Sequence, residues 1–113
     1  MAPSSTDGMS PLEYHVLLAM AEGPLYGYAI KEAVESESGG TLTPRAGSLY
    51  RVLARLMTRG LLREAQPRGA SEPHPGLARR YYALTPAGRS ALAAEALRLK
   101  HAAALAEKRL GTA

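Results

Sequence analysis

The sequence predicts a mainly α-helical domain with one small β-hairpin and a long helix at its C-terminal end. Three observations carry this reading. Apolar residues recur at helical period in three consecutive early segments, each bounded by cap or breaker residues. Two short strand candidates follow, separated by a loop rich in Pro and Gly. The chain then returns to helical periodicity from Thr85 to Leu110.

At 113 residues the chain is one domain, or one domain with an added helix. It has no Phe or Trp, so its core must be built from Leu, Ala, Val, Ile and Met. No segment approaches the roughly 18 apolar residues of a membrane span. The first residues are polar and lack the apolar stretch of a signal peptide. The absence of cysteine excludes disulfides, thiolate catalysis and cysteine metal sites. Together these features point to the cytoplasm as the expected location.

Residues 1–8 (MAPSSTDG) are polar and aperiodic and read as a disordered tail. The first helix opens at Ser10-Pro11-Leu12-Glu13. Ser10 caps, Pro11 takes the first position and Glu13 reaches back to the Ser10 N–H, with Met9 and Tyr14 as an accompanying staple. It runs through Val16, Leu17 and Met20 and stops near Glu22-Gly23-Pro24. After a connection at Leu25-Tyr26-Gly27, a second helix buries Ile30, Ala33 and Val34 and exposes Glu32, Glu35 and Glu37. Gly39-Gly40 ends it.

A four-residue joint, 40–43, leads into the third helix, with Thr43 as cap and Pro44 at the first position. Gly60 sits where a left-handed residue would close it. Leu49, Leu53, Leu56 and Met57 form its apolar stripe. Ser48, Arg51, Arg55 and Arg59 follow one another on the outer side, with Arg45 at the edge, and no acid lies on the helix. A solvated helix usually mixes both signs to gain ion pairs; this one suggests a polyanionic partner. The charge of the whole chain agrees. Its net +4 is uneven: residues 1–40 hold one cation and six acids, whereas residues 41–80 hold eight Arg and two Glu. Such a local field attracts phosphate backbones. Two tightly joined helices, the second basic, fit helix-turn-helix geometry.

Residues 61–66 and 79–84 are the strand candidates. The loop between them, Pro67 to Ala78, is long for a compact domain. Strands and loop together make a wing, with Arg68, Arg79 and Arg80 placing charge at its tip and root. Thr85-Pro86 then repeats the cap signature. Along the last helix Leu92, Ala96, Leu99, Ala103, Ala106 and Leu110 are spaced 4, 3, 4, 3 and 4, a heptad seam. Leu97 and Leu105 lie opposite, with His101. A helix apolar on two sides needs two partners: its own domain and a second chain. The expected organisation is a tail at 1–8, a winged helix-turn-helix DNA-binding domain at 9–84 and a dimerisation helix at 85–113.

Three stretches resemble the PadR family of bacterial transcriptional regulators: GPLYGYAI (Gly23 to Ile30), GSLYRVLARL with GLL (Gly47 to Leu62), and RRYYALTPAGRSAL (Arg79 to Leu92). They are similar in order and spacing to the family's Gly-Pro-Leu-His-Gly-Tyr, Gly-Thr-Leu-Tyr and Lys-Tyr-Tyr-x-Leu-Thr-x-x-Gly patterns. The single C-terminal helix resembles the short subfamily. The resemblance implies a homodimeric repressor on a palindromic double-stranded DNA operator, commonly beside its own gene, with the third helix in the major groove. By motif, Ser48 and Tyr50 would contact phosphates or base edges, and Tyr28 and Tyr82 match family tyrosines that are partly structural and partly near the DNA backbone. Arg51 departs from the pattern, which often has Pro there; an arginine can hydrogen-bond guanine bidentately. The expected DNA-binding residues are therefore Tyr28, Arg45, Ser48, Tyr50, Arg51, Arg55, Arg68, Arg79 and Arg80. The expected dimer interface joins Leu92, Ala96, Leu99, Ala103, Ala106 and Leu110 to Leu12 and Val16 on the partner's first helix.

Nothing in the sequence indicates an enzyme, a cofactor or a metal. His15, His74 and His101 fall on three different elements with no ligand spacing. Ser90 is not in a nucleophile elbow, and no Gly-rich strand-to-helix loop exists to hold a nucleotide. Two alternatives stand beside the repressor. One is a regulator whose key event is a small molecule binding at the dimer interface, although the last helix lacks aromatics for flat drugs. The other is a protein-interaction module that kept the fold and lost the DNA.

Overall fold

The computed structural model describes residues 9–66 and 80–111. The expected tail at 1–8 and the loop from Pro67 to Ala78, with Arg68 and His74, lie outside the described residues, as does Arg79. The described elements follow in the order α1 (Pro11–Ala19), β1 (Leu25–Tyr26), α2 (Gly27–Glu37), α3 (Ala46–Thr58), β2 (Leu62–Ala65), β3 (Tyr81–Leu84) and α4 (Pro86–Leu110). The fold is mainly helical with a small antiparallel sheet, as expected.

Helix α1 starts with the expected capping box. The Glu13 N–H donates to Ser10 Oγ at 3.1 Å, and the Ser10 N–H donates to Glu13 Oε1 at 2.9 Å. The helix ends at Ala19, ahead of the Gly-Pro stop, because the chain tightens there: Met20 donates to the Leu17 carbonyl and Ala21 to that of Leu18. Such i→i−3 bonds satisfy carbonyls at a helix end. Helix α4 has the expected Thr85 cap, whose hydroxyl accepts from the Gly88 N–H at 2.9 Å, and runs to Leu110 as expected.

Two expectations about the elements need correction. Leu25 and Tyr26 form a strand rather than a bare connection. Leu25 pairs with Tyr82 and Tyr26 with Tyr81, so the sheet has three strands in the order β1-β3-β2 rather than a lone hairpin. Without β1, the outer edge of β3 would leave backbone groups unpaired beside the buried Tyr82. The third helix also starts later. Its N-cap is Arg45, without a side-chain cap, and not Thr43. The Ser38 hydroxyl at the end of α2 accepts from the Leu42 N–H at 3.0 Å, and Leu42 packs against the core. With that anchor the joint stays outside the helix through Pro44. Gly60 lies just past the end of α3, as expected.

The core is shared by every helix. Val16, Leu17 and Met20 of α1 and its end meet Ile30 and Val34 of α2, Leu49, Val52, Leu53 and Leu56 of α3, and Leu62, Tyr82, Leu84 and Leu92. Each large apolar side chain so buried contributes about 1.5–3 kcal/mol of transfer free energy. Val16 and Leu92 were expected at the dimer interface. That is corrected here: both side chains are buried inside their own chain, Val16 with no exposed surface, and neither is available to a partner. Counting heptads finds an apolar position but not which molecule covers it.

Candidate nucleic-acid interface

Helix α3 presents its basic side outward on this scaffold. The buried positions Leu49, Val52, Leu53 and Leu56 fix its rotation. At 3.6 residues per turn, the side directly opposite is Gly47, Ala54 and Thr58, with Arg51 and Tyr50 on its two margins. All five are exposed. Small residues at the centre let a partner approach the helix backbone closely, and the long side chains at the margins reach past it. Arg51 donates from Nη2 to Ser48 Oγ at 3.4 Å, and Arg45 stands exposed at the N-terminal end.

Two tyrosines extend this surface. Tyr28, near the start of α2, and Tyr50 are 59% and 49% exposed. The Tyr50 hydroxyl occupies the space that a β-carbon on Gly27 would need. The glycine of the Gly-Tyr pair therefore lets the ring of Tyr50 lie across the start of α2, which fixes one helix against the other. Tyr26 and Tyr81 pack edge to face with centroids 5.6 Å apart where β1 meets β3.

Arg55 and Arg59 are exposed along α3. They lie on the flank of α3 that faces α1, where Glu13 meets them. Arg55 Nε donates to Glu13 Oε2 at 3.1 Å, and Arg59 Nη1 lies 3.7 Å from the same oxygen. Burial works to raise the Glu13 carboxyl, but the Ser10 N–H and the Arg55 guanidinium outweigh it and hold the group below its ordinary range. A pair in which the arginine is half exposed adds about 1 kcal/mol or less to stability. Arg80 is exposed at the root of the wing, with its Nε 3.1 Å from Glu64 Oε2 on the neighbouring strand.

Three features of this region escaped sequence reasoning. Glu13 was assigned to the cap, and its second role spans 42 residues of chain, beyond any local pattern. Arg89 donates to the Ala21 carbonyl at 3.2 Å and ties α4 to the end of α1. The Gly27–Tyr50 contact was visible only as a shared motif.

The expected interface residues Leu12 and Ala96 are half-buried, and Leu99, Ala103, Ala106 and Leu110 are exposed. From Leu97 to Leu110 no residue of α4 is buried. Leu97 and Leu105 are also exposed. A groove of about 320 Å³ runs between the start of α1 and the middle of α4, lined by Met9, Pro11, Tyr14, His15, Glu95, Arg98 and Leu99. Glu95 is buried there and accepts from Arg98 Nε at 3.0 Å. His15 Nδ1 is buried with no hydrogen-bond partner among the described residues.

A helix-turn-helix with a three-stranded wing and a projecting final helix defines a winged-helix protein. The transcriptional regulator PadR-like family matches residues 16–94, and the chain belongs to that family. Its members are regulators of transcription rather than enzymes. The chain is 47% identical over 81 residues to an uncharacterized 37.1 kDa protein in transposon TN4556 of Streptomyces fradiae. That match covers 72% of this chain but 21% of the relative, so the chain spans about a fifth of that protein's length. A PadR family transcription regulator from Clostridium difficile superposes with a TM-score of 0.72 at 19% identity, covering 89% of this chain and 99% of the other. The Bacillus subtilis PadR, solved in complex with operator DNA, superposes with a TM-score of 0.59 at 25% identity, covering 74% of this chain and 45% of that one.

Proposed function

We propose that this regulator binds double-stranded DNA as a homodimer, with α3 in the major groove, and represses transcription from a palindromic operator near its own gene. One observation carries the reading: the outward side of α3 is a shallow centre of Gly47, Ala54 and Thr58 between Arg51 and Tyr50, on a helix without acids. The likeness to a PadR solved in complex with operator DNA supports DNA binding. Arg51 reads a base edge. Arg45, Ser48, Arg55, Tyr28 and Tyr50 meet the flanking phosphates, and Arg80 serves the wing. The dimer forms along α4, where Ala96, Leu99, Ala103, Ala106 and Leu110 give one chain a stripe for the other, with Leu12 on the partner's α1. A helix end carrying Leu97, Leu99, Leu105 and Leu110 in water is poorly stable alone.

The test is selection of bound sequences from a pool of random duplexes, followed by footprinting. The reading predicts an enriched palindrome with protected half-sites about 10 base pairs apart or a multiple of that. No enrichment from the pool contradicts it.

A second reading concerns control by a small molecule. The groove between α1 and α4 favours it, since Tyr14 supplies the aromatic face that α4 lacks and His15 also lines it. Calorimetric titration of an effector into the DNA-bound dimer, with Tyr14→Ala as the variant that loses the response, tests it.

A further inference from the structure

We propose that Glu13 is a positioning residue for the DNA-reading surface: it holds Arg55 by Nε so that the guanidinium presents its Nη nitrogens in one direction, and it offsets charge that Arg55 and Arg59 would otherwise spread along the flank of α3. The inference rests on the DNA-binding reading above.

The geometry is specific. Glu13 is itself fixed, because it is buried and its Oε1 accepts the Ser10 N–H. Only Oε2 is left for the two arginines, and Arg55 has the closer approach. The bond to Arg55 uses Nε. An arginine has four further N–H donors on its Nη atoms, and those of Arg55 have no partner among the described residues. A guanidinium fixed at Nε keeps the planar fork that matches a phosphate. Arg55 and Arg59 stand on the flank of α3, away from its outward centre, which is where a helix in a groove meets the backbone rather than the bases.

The electrostatics point the same way. With no acid of its own, this flank would present two unrestrained cations to any DNA. Phosphate attraction is independent of sequence, and a regulator is limited by the ratio of operator to random affinity rather than by affinity alone. Glu13 converts a diffuse attraction into one aimed contact.

The experiment uses the full-length protein, an operator obtained by the selection above and a random duplex of the same length. Affinities are measured across a salt series for wild type, Glu13→Gln, Arg55→Ala and the double variant. Gln keeps the shape of Glu13 and its bond to the Ser10 N–H, as a capping box allows. In Glu13→Gln the operator-to-random ratio is expected to fall about three- to tenfold, the range for one weakened hydrogen bond. The salt slope on random DNA is expected to steepen by about one per protomer. Once Arg55 is Ala, the same Glu13 change should move the ratio by less than about twofold. Glu37→Gln, which removes one acid from the wet face of α2, should leave the ratio in place. A Glu13→Gln protein with wild-type ratio and slope overturns the proposal, and so does an effect undiminished in the Arg55→Ala background. Should Glu13→Gln not fold, Arg55→Lys keeps the charge but loses the Nε bond and must show the same fall; an unchanged ratio overturns the proposal. A wild-type protein that binds no duplex overturns the DNA reading and this role with it, whereas normal wild-type binding with an unchanged variant overturns the role alone.

Discussion

The carbonyl oxygen of Leu61 fills the space that a β-carbon on Gly88 would occupy. The same carbonyl accepts from the Thr85 N–H at 3.2 Å, and the Thr85 hydroxyl donates to the Gly60 carbonyl at 2.6 Å. The first turn of α4 is thereby locked to the turn between α3 and β2. This joint ties α3, β2 and α4 together at one point.

Gly88→Ala should therefore destabilise the protein, by about 1–3 kcal/mol, as expected when an atom is forced into packed backbone. Sign is the decisive part. Gly to Ala inside an ordinary helix stabilises by about 1 kcal/mol. Urea denaturation showing a more stable variant would mean that the joint is loose.

Leu92 and Leu99 lie on one stripe of α4 but should behave differently. Leu92 is in the core, so Leu92→Ala should cost about 2–5 kcal/mol of stability. Leu99 is exposed, so Leu99→Asp should leave the fold intact and yield monomers by light scattering. A dimer that persists would place the seam elsewhere.

Arg51→Ala should weaken discrimination between operators by roughly 1–3 kcal/mol if Arg51 reads a base. Equal loss on operator and random duplexes would make it a phosphate contact.

Acid should destabilise the fold through Glu13 and Glu95. Both carboxyls are held below their ordinary value of 4.5, Glu13 against the effect of burial by Ser10 and Arg55, and Glu95 chiefly by Arg98. A depressed carboxyl contributes stability that is present above its unfolded value and lost as pH falls through its folded one. Stability measured by urea should thus decline as pH drops below about 4.5. Replacing either Glu by Gln should flatten part of that decline, and an acid limb identical to wild type would contradict the assignment.

What could be read from sequence was local. Ser10-Pro11-x-Glu13 and Thr85-Pro86 mark their helix starts because a cap is satisfied within three residues. Leu49, Leu53 and Leu56 reveal the buried side of α3 by spacing. Thr43-Pro44 misled because the same signature also suits an extended joint, and Ser38 decides which by anchoring Leu42. Leu25-Tyr26 was too short to show as a strand, since its partners Tyr81 and Tyr82 lie far along the chain. The arginine stripe on α3 was legible as charge, but the Glu13 carboxylate that restrains two of its members arrives from another helix.

The most direct measurement is fluorescence anisotropy of the protein on a duplex from upstream of its own gene, against an unrelated duplex, from low to physiological salt. Tight binding to the upstream duplex alone at physiological salt is the expected result and would establish an operator-specific regulator. No binding to either duplex even at low salt would contradict the assignment of α3 as a DNA-reading helix.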